Sequence, residues 1–241
     1  MLRIERLETK KDLLTKLRAY SNTPDDETIL YKKKIEDALM SNPCLLYALN
    51  ESSLYKELFD PSDKAHWKYD EDRKIYIPTE DCRINWEWDE EKQKYEPLGE
   101  WDRYFSDTSS DANIRPYIFI PETQTEVKHY LCYQVGFRDT VRYQPGLKET
   151  QVTFTVFVHG GDRMDKWTGI PRHDLIASII RERFSWSNIF GMQTHLVQNY
   201  EATTDTNYVT RTLVFELTDL NSKVQTPYGG QSQMMNYQLR R

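Results

Sequence analysis

Thr150-Gln-Val-Thr-Phe-Thr-Val-Phe-Val158 is the clearest strand signal in the chain and lies within the stretch that decides the fold. Valine and phenylalanine alternate with glutamine and threonine along it. A period of two in β-branched and aromatic residues is typical of a strand with one face buried more deeply than the other. We therefore expect a sheet to be built around this segment.

The stretch that surrounds this segment, residues 115–218, predicts the order strand, strand, strand, helix, strand, strand. The predicted strands cover residues 115–121, 129–137, 150–158, 193–200 and 208–217. The predicted helix covers residues 171–185, begins near Pro171, and repeats apolar residues at helical spacing: Leu175, Ile176, Ile179, Ile180 and Phe184. Arg172 and the other charged residues of this helix lie largely off that stripe. One helix on a mainly antiparallel sheet makes the expected fold class α+β, with β-β-β-α-β-β topology.

Helices precede this core in an N-terminal helical region over residues 1–59. An amphipathic helix is expected over residues 1–20, and a second helix starts at Thr23-Pro24, where a hydroxyl can cap and proline suits the first position. The second helix carries the apolar residues Ile29, Leu30, Ile35, Leu39 and Met40. Two shorter helices are expected at residues 44–49 and 52–59.

An internal near-repeat marks residues 60–114 as an insertion. Trp67-Lys-Tyr-Asp-Glu-Asp-Arg-Lys-Ile-Tyr-Ile-Pro78 and Trp86-Glu-Trp-Asp-Glu-Glu-Lys-Gln-Lys-Tyr-Glu-Pro97 share Trp, Asp, Glu, Tyr and Pro in register. Aromatic cross-strand pairs can hold a hairpin that has little core. We expect an inserted arm of β-hairpins; the alternative is a disordered polar loop, although such loops are usually poor in aromatics.

The rest of the chain is predicted to form two regions, an α+β core over residues 115–220 and an extended C-terminal tail over residues 221–241. Regular patterning ends after Leu217, and the tail contains Pro227, Gly229-Gly230, two methionines and two tyrosines. Such a segment is either loose or laid on a neighbouring molecule.

Charge and cysteine content argue against three classes of protein: nucleic-acid-binding domains, disulfide scaffolds and zinc proteins. The chain of 241 residues has a net charge of −6, without the basic excess of a free-standing nucleic-acid-binding domain. Cys44, Cys82 and Cys132 are odd in number and far apart, which disfavours a disulfide scaffold or a zinc site and favours a reducing compartment. With neither an export signal nor an apolar run of membrane-spanning length, the protein is expected in the cytosol when it is made.

Two short segments could carry chemistry. His159-Gly-Gly-Asp162 follows a predicted strand, and Arg172-His173-Asp174 opens the predicted helix, so His159, Asp162, His173 and Asp174 could bind a metal or act as acid and base. The competing interpretation is a tight turn, with glycines at positive φ and an aspartate bonding its own backbone, followed by an ordinary first helical turn. We favour the second interpretation, and expect no catalytic, cofactor-binding or metal-binding residues and no enzymatic activity.

The order of elements resembles the tail-terminator family of tailed bacteriophages. The matching cues are a helix with Ile35-Glu-Asp-Ala-Leu39, a proline-led strand Pro116-Tyr-Ile-Phe-Ile120, the hairpin that ends in Phe154-Thr-Val-Phe-Val158, the helix from residue 171, and a closing pair that ends in Leu213-Val-Phe-Glu-Leu217. The resemblance covers residues 25–40 and 115–218. The aromatic insertion and the long tail depart from small members of that family.

This resemblance implies a structural virion protein that forms a ring, usually of six copies, at the neck or tail end. The ring would cap the tail tube and contact the tube protein and the head-completion proteins. DNA would pass through its lumen without specific binding, as suits an acidic protein. The alternatives are another neck or head-completion protein, a metal-dependent hydrolase that uses the His159 and His173 region, and a carbohydrate-binding module built on the Trp/Tyr arm.

Overall fold

The computed structural model describes residues 27–49, 52–105, 112–119, 121, 127–140, 147–204, 207–220, 223–225 and 231–233, together with Lys11, Leu14 and Thr15. The predicted helix over residues 1–20, apart from those three residues, and the predicted helix start at Thr23-Pro24 lie outside this described part. None of the helices within it is long and apolar enough to cross a membrane.

Three helices lead into the fold: α1 (Glu27–Met40), α2 (Pro43–Leu49) and α3 (Ser52–Phe59). The Asn42 side chain caps α2, because its Oδ1 accepts hydrogen bonds from the amides of Cys44 and Leu45 at 2.9 Å and 3.3 Å. The buried face of α1 differs in part from the predicted stripe. Its buried residues are Tyr31, Ile35, Ala38 and Leu39, whereas Ile29 and Leu30 are exposed.

The near-repeat forms two β-hairpins, as predicted. Strands β1 (Trp67–Asp70) and β2 (Ile75–Pro78) pair with Trp67 opposite Pro78, and β3 (Trp86–Asp89) and β4 (Lys94–Pro97) pair with Trp86 opposite Pro97. Each hairpin holds one edge-on aromatic pair, Tyr69 with Tyr76 at 5.1 Å and Trp88 with Tyr95 at 5.2 Å between ring centroids. The alternative of a disordered loop is therefore wrong for these residues.

The base of the arm is continuous with the main core. Ile84 and Phe105 are buried in the same apolar cluster as the central sheet. The Trp67 indole donates to the Glu57 carbonyl at 3.0 Å, and the buried Glu57 carboxylate accepts the amide of Ile84. Glu57 of helix α3 therefore ties the base of the first hairpin to the body.

The central sheet contains β5 (Ile114–Arg115), β6 (Tyr130–Thr140), β7 (Leu147–His159), β8 (His195–Thr203) and β9 (Tyr208–Leu220) in the order β5-β6-β7-β9-β8. All neighbouring strands are antiparallel except β5 and β6. With helix α4 (Arg172–Phe184) packed on it, the sheet confirms the predicted α+β class.

The first strand is much shorter than predicted. Among the described residues of this segment, Ile114 and Arg115 pair with β6, and the chain then bends at Pro116 and Tyr117. Proline has no amide hydrogen to donate to a ladder. After the bend, Phe119 packs against β5, where the Arg115 guanidinium lies 3.7 Å above the centre of its ring.

One face of the sheet packs against α4. Val152, Phe154, Val156 and Val158 of β7 and Leu213, Phe215 and Leu217 of β9 are buried on it. From the helix, Ile176, Ile180 and Phe184 are fully buried, whereas Leu175 and Ile179 are only partly buried. The predicted helical stripe thus divides into a sheet-facing row and a second row on the flank of the helix.

Regular structure continues past the predicted end of the core. Strand β9 extends to Leu220 because β7 begins as early as Leu147, its pairing partner. Beyond it, β10 (Lys223–Gln225) and β11 (Gln231–Gln233) form a short antiparallel hairpin within the predicted extended tail.

Candidate functional site

The chain reverses at His159 through a 3-10 turn, Gly160–Asp162, rather than through a turn with glycines at positive φ. The His159 Nδ1 accepts the amide of Gly161 at 3.0 Å. A Cβ on Gly160 would lie 2.8 Å from the carbonyl oxygen of Asn207, so close backbone approach requires this glycine. Among the described glycines, those with positive φ are Gly169 and Gly191.

Arg172 is the largest fully buried side chain in the described part of the protein. Its Nη2 lies 2.9 Å from an Asp162 carboxylate oxygen and 3.5 Å from one of Asp165, while Nη1 donates to the carbonyl of Ala48 at 3.1 Å. The expectation that Arg172 lies off the buried face of the helix is therefore wrong. This guanidinium joins α4, α2 and the loop after β7 in one buried ionic cluster.

Asp165 is the most extensively bonded acid of this cluster. Its Oδ1 accepts the Tyr47 hydroxyl at 2.5 Å, and its Oδ2 accepts both the amide and the hydroxyl of Thr168, at 2.8 Å and 2.7 Å. Burial acts to raise the pKa of Asp165, but these hydrogen bonds and the Arg172 charge outweigh it and lower the pKa. The carboxylate therefore stays ionised and holds the loop around Thr168 against α2.

His129 completes the cluster from the start of β6. It is fully buried, its Nδ1 accepts the amide of His159 at 3.3 Å, and its Nε2 lies 3.4 Å from Asp162. Burial, assisted by the Arg172 charge, lowers the pKa of His129 to about 4. The imidazole is neutral at pH 7, with its proton on Nε2 facing the carboxylate.

This buried histidine predicts an acid-sensitive fold. Because the folded-state pKa of His129 is depressed below 6.5, its contribution is fully present above pH 6.5 and is lost as pH falls toward 4. We expect the free energy of unfolding to fall by about 3 kcal/mol across that window. Urea titrations at pH 7, 5.5 and 4.5 would measure it. His129→Gln should make the free energy of unfolding depend less on pH in this range. An unchanged pH dependence would show that other groups cause it.

His173 and Asp174 do not join His159 and Asp162. The His173 Nε2 lies 3.7 Å from Asp174 and 3.5 Å from Glu201 of β8, and Arg211 of β9 contacts the same two carboxylates at 3.6 Å and 3.5 Å. The four residues of the hydrolase hypothesis are thus divided between two networks. In the described ranges, no group of three or more His, Cys, Asp or Glu side chains could hold a metal ion.

An aromatic cleft of about 570 Å³ opens between the second hairpin and helices α2 and α4. Its residues are Pro43, Cys44, Tyr47, Leu58, Trp86, Lys94, Tyr95, Glu96, Pro97, Trp101, Trp167, Thr168, Leu175 and Ile179. The volume is in the usual range for sites that bind small molecules or peptide side chains. The sequence analysis missed this cleft, because its residues come from seven separate segments of the chain, and the repeated Trp and Tyr residues were the one signal of it.

The sheet has two different edges without a full-length partner. In the described part of the chain, β8 pairs only with β9, and β6 beyond Cys132 pairs only with β7. Exposed aromatic residues accompany the β8 edge: Tyr200 is 52% exposed and Trp186, in the preceding turn, is 71% exposed. Trp186 also has a φ of 57°, a conformation that is unfavourable for a bulky residue. Unpaired edges with exposed apolar side chains are typical contact surfaces.

The model of one protein family, YomW, matches residues 45–217 of the chain. The matched region runs from α2 to β9 and therefore includes both hairpins, the buried ionic cluster and the aromatic cleft. No curated protein matches the chain.

Proposed function

The chain belongs to the YomW family, a phage-derived family, and from that premise we propose that it is a structural virion protein of a tailed phage that acts as a tail terminator. In this proposal the protein forms a ring, with six copies as the expected number, that caps the tail tube and joins it to the head. Its partners are other copies of itself, the tube protein and the head-completion proteins. The nearest alternative is another protein of the neck.

The observation that carries this proposal is the pair of unlike sheet edges. A ring requires a head-to-tail interface, in which one surface of each copy meets a different surface of the next. If the β8 edge of one copy adds to the open part of the β6 edge of the next, every copy uses both edges. Contact between two β8 edges would instead close a two-fold dimer and stop assembly.

Charge supports the passage of DNA through such a ring. The net charge of −6 provides no general attraction for a phosphate backbone, so DNA could slide through the lumen without being retained. The proposal places the protein at the neck or tail end of the virion, after assembly in the host cytoplasm, in a role that requires no enzymatic activity.

A lysine on the β8 edge should abolish assembly. Tyr200→Lys puts a charge on an exposed position of the edge strand, where lysines are known to block strand addition. We expect a folded monomer by light scattering and no rings by negative-stain imaging. The matched control is Leu30→Lys on helix α1, a leucine that is 45% exposed, which should assemble normally. Rings of unchanged size from Tyr200→Lys would exclude the β8 edge as the interface.

Loss of the protein from the phage tests the position in the virion. Infection with a phage that lacks the chain should yield full heads and separate tails, some of irregular length, that fail to join. Complementation with the wild-type chain should restore joined particles, whereas the Tyr200→Lys variant should not. Normal particles without the chain, or its absence from purified virions, would refute the structural role.

A further inference from the structure

The aromatic cleft presents an uncharged surface to its occupant. The charged residues in its wall are Lys94 and Glu96. The Glu96 carboxylate lies 2.7 Å from the Lys94 ammonium and 3.5 Å from that of Lys92, so the charges at this rim are engaged in exposed ion pairs. The rest of the wall is mainly aromatic and aliphatic, with three tryptophans and two tyrosines. A charged ligand would lose hydration against the apolar wall and would have to compete with these ion pairs for a partner. The occupant is therefore uncharged and largely apolar.

The polar groups of the wall have little to offer a polar occupant. The Trp86 Nε1 is shielded from solvent and is therefore out of reach of a molecule in the cleft. The hydroxyls of Tyr47 and Thr168 already donate to Asp165. A sugar would leave several of its hydroxyls unsatisfied in such a wall. An extended peptide fits better, because its apolar side chains can fill the cleft while its backbone stays near solvent at the mouth.

The chain carries a segment with this chemistry in its C-terminal tail. Residues 225–239 contain no charged residue, although charged residues make up 29% of the whole chain. Residues 234–239, Met234-Met-Asn-Tyr-Gln-Leu239, lie outside the described part and combine two methionines with a tyrosine and a leucine. Methionine sulfur makes favourable contacts with aromatic rings, and its flexible side chain fits irregular spaces.

The length of chain available favours binding of residues 234–239 in the cleft of a neighbouring copy over binding in the cleft of the same copy. Strand β9 ends at Leu220, beside Leu147, whereas the loop with Trp167 follows the opposite end of β7, which is about 40 Å away for a strand of this length. The β10–β11 hairpin returns Gln233 to Lys223, so residue 234 begins within about 20 Å of Leu220. Reaching Trp167 of its own copy would use nearly the full extended length of residues 234–239, so the proposal takes the cleft of a neighbouring copy.

We propose that residues 234–239 of each copy bind in the aromatic cleft of the next copy and clasp the assembly together. This inference rests on the proposed ring, and it names a second contact that supplements the sheet edges. The cleft of each copy takes the tail of one neighbour, so the contact is also head-to-tail.

An engineered disulfide in the full-length protein tests the clasp. Cys44 is an exposed free cysteine in the wall of the cleft. Tyr237→Cys, assembled and treated with a mild thiol oxidant, should give covalent dimers and higher multimers on a non-reducing denaturing gel. The same variant with Cys44→Ser should give none. Trp167→Ala added to Tyr237→Cys should lower the multimer yield about tenfold at limiting concentration, as expected for a central interface aromatic. Leu30→Ala, at an exposed position of α1 outside the cleft, should leave the yield unchanged.

The outcomes separate the clasp from the ring. Rings in the microscope without crosslinked multimers would overturn the clasp and leave the ring intact. A crosslink confined to single chains would show that the tail binds its own copy, and multimers that persist with Cys44→Ser would show that the cleft is not the site; both results overturn the inference. Loss of rings in every variant, the wild type included, would instead contradict the proposed function.

Discussion

Arg172→Ala is expected to destabilise the protein by about 3–5 kcal/mol, because it removes a fully buried cation that contacts both Asp162 and Asp165 while leaving both acids in place. Removing one partner from a buried ion pair costs far more than the pair contributes, since the remaining charge is left without compensation. For a chain of this size the loss corresponds to a fall in melting temperature of roughly 10 °C. Thermal unfolding followed by circular dichroism would measure it.

Two further variants separate charge from packing at this position. Arg172→Met together with Asp162→Asn and Asp165→Asn removes all three charges, and we expect it to cost less than Arg172→Ala alone. Arg181→Ala removes an exposed arginine from the same helix and should change stability by less than about 0.5 kcal/mol. If Arg172→Ala behaves like Arg181→Ala, the buried ionic cluster does not stabilise the fold.

The sequence predicted the elements that depend on local pattern. The alternation in β7 and the repeat in the two hairpins are local signals, and both gave the correct structure. The length of strand β5 was overestimated. Apolar composition suggested a longer strand, but Pro116 has no amide hydrogen to donate to the ladder.

The sites depend on contacts between distant residues, and the sequence did not reveal them. Tyr47 and Asp165 are 118 residues apart in the chain, yet the hydrogen bond between them helps to fix the loop that carries Trp167. Helical periodicity places Arg172 among the polar residues, so its burial was unexpected. Asp162 and Asp165, only a few residues earlier, were the available signal, because acids near an arginine at a helix start can pair with it once the loop folds back.

The two isoleucines Ile179 and Ile180 should respond very differently to the same substitution. The sequence pattern treats them alike and predicts that Ile179→Asp unfolds the protein. In the structure Ile180 is fully buried between α4 and the sheet, whereas Ile179 is partly buried and lines the aromatic cleft. A carboxylate at position 180 has no described partner, and its burial costs several kcal/mol, comparable to the whole stability of a typical domain.

We therefore expect Ile180→Asp to be unfolded or insoluble at 25 °C, and Ile179→Asp to remain folded with a smaller loss of stability. The carboxylate that Ile179→Asp introduces can turn toward the open cleft and keep part of its hydration, which limits the loss of stability. Circular dichroism and urea titration of both variants would show the difference, with Ile179→Ala as a control for lost packing alone. Ile179→Asp also places a charge in the uncharged cleft, so a folded variant should form rings but lose most of the Cys44 crosslink. Equal unfolding of both aspartate variants would show that position 179 excludes water as completely as position 180.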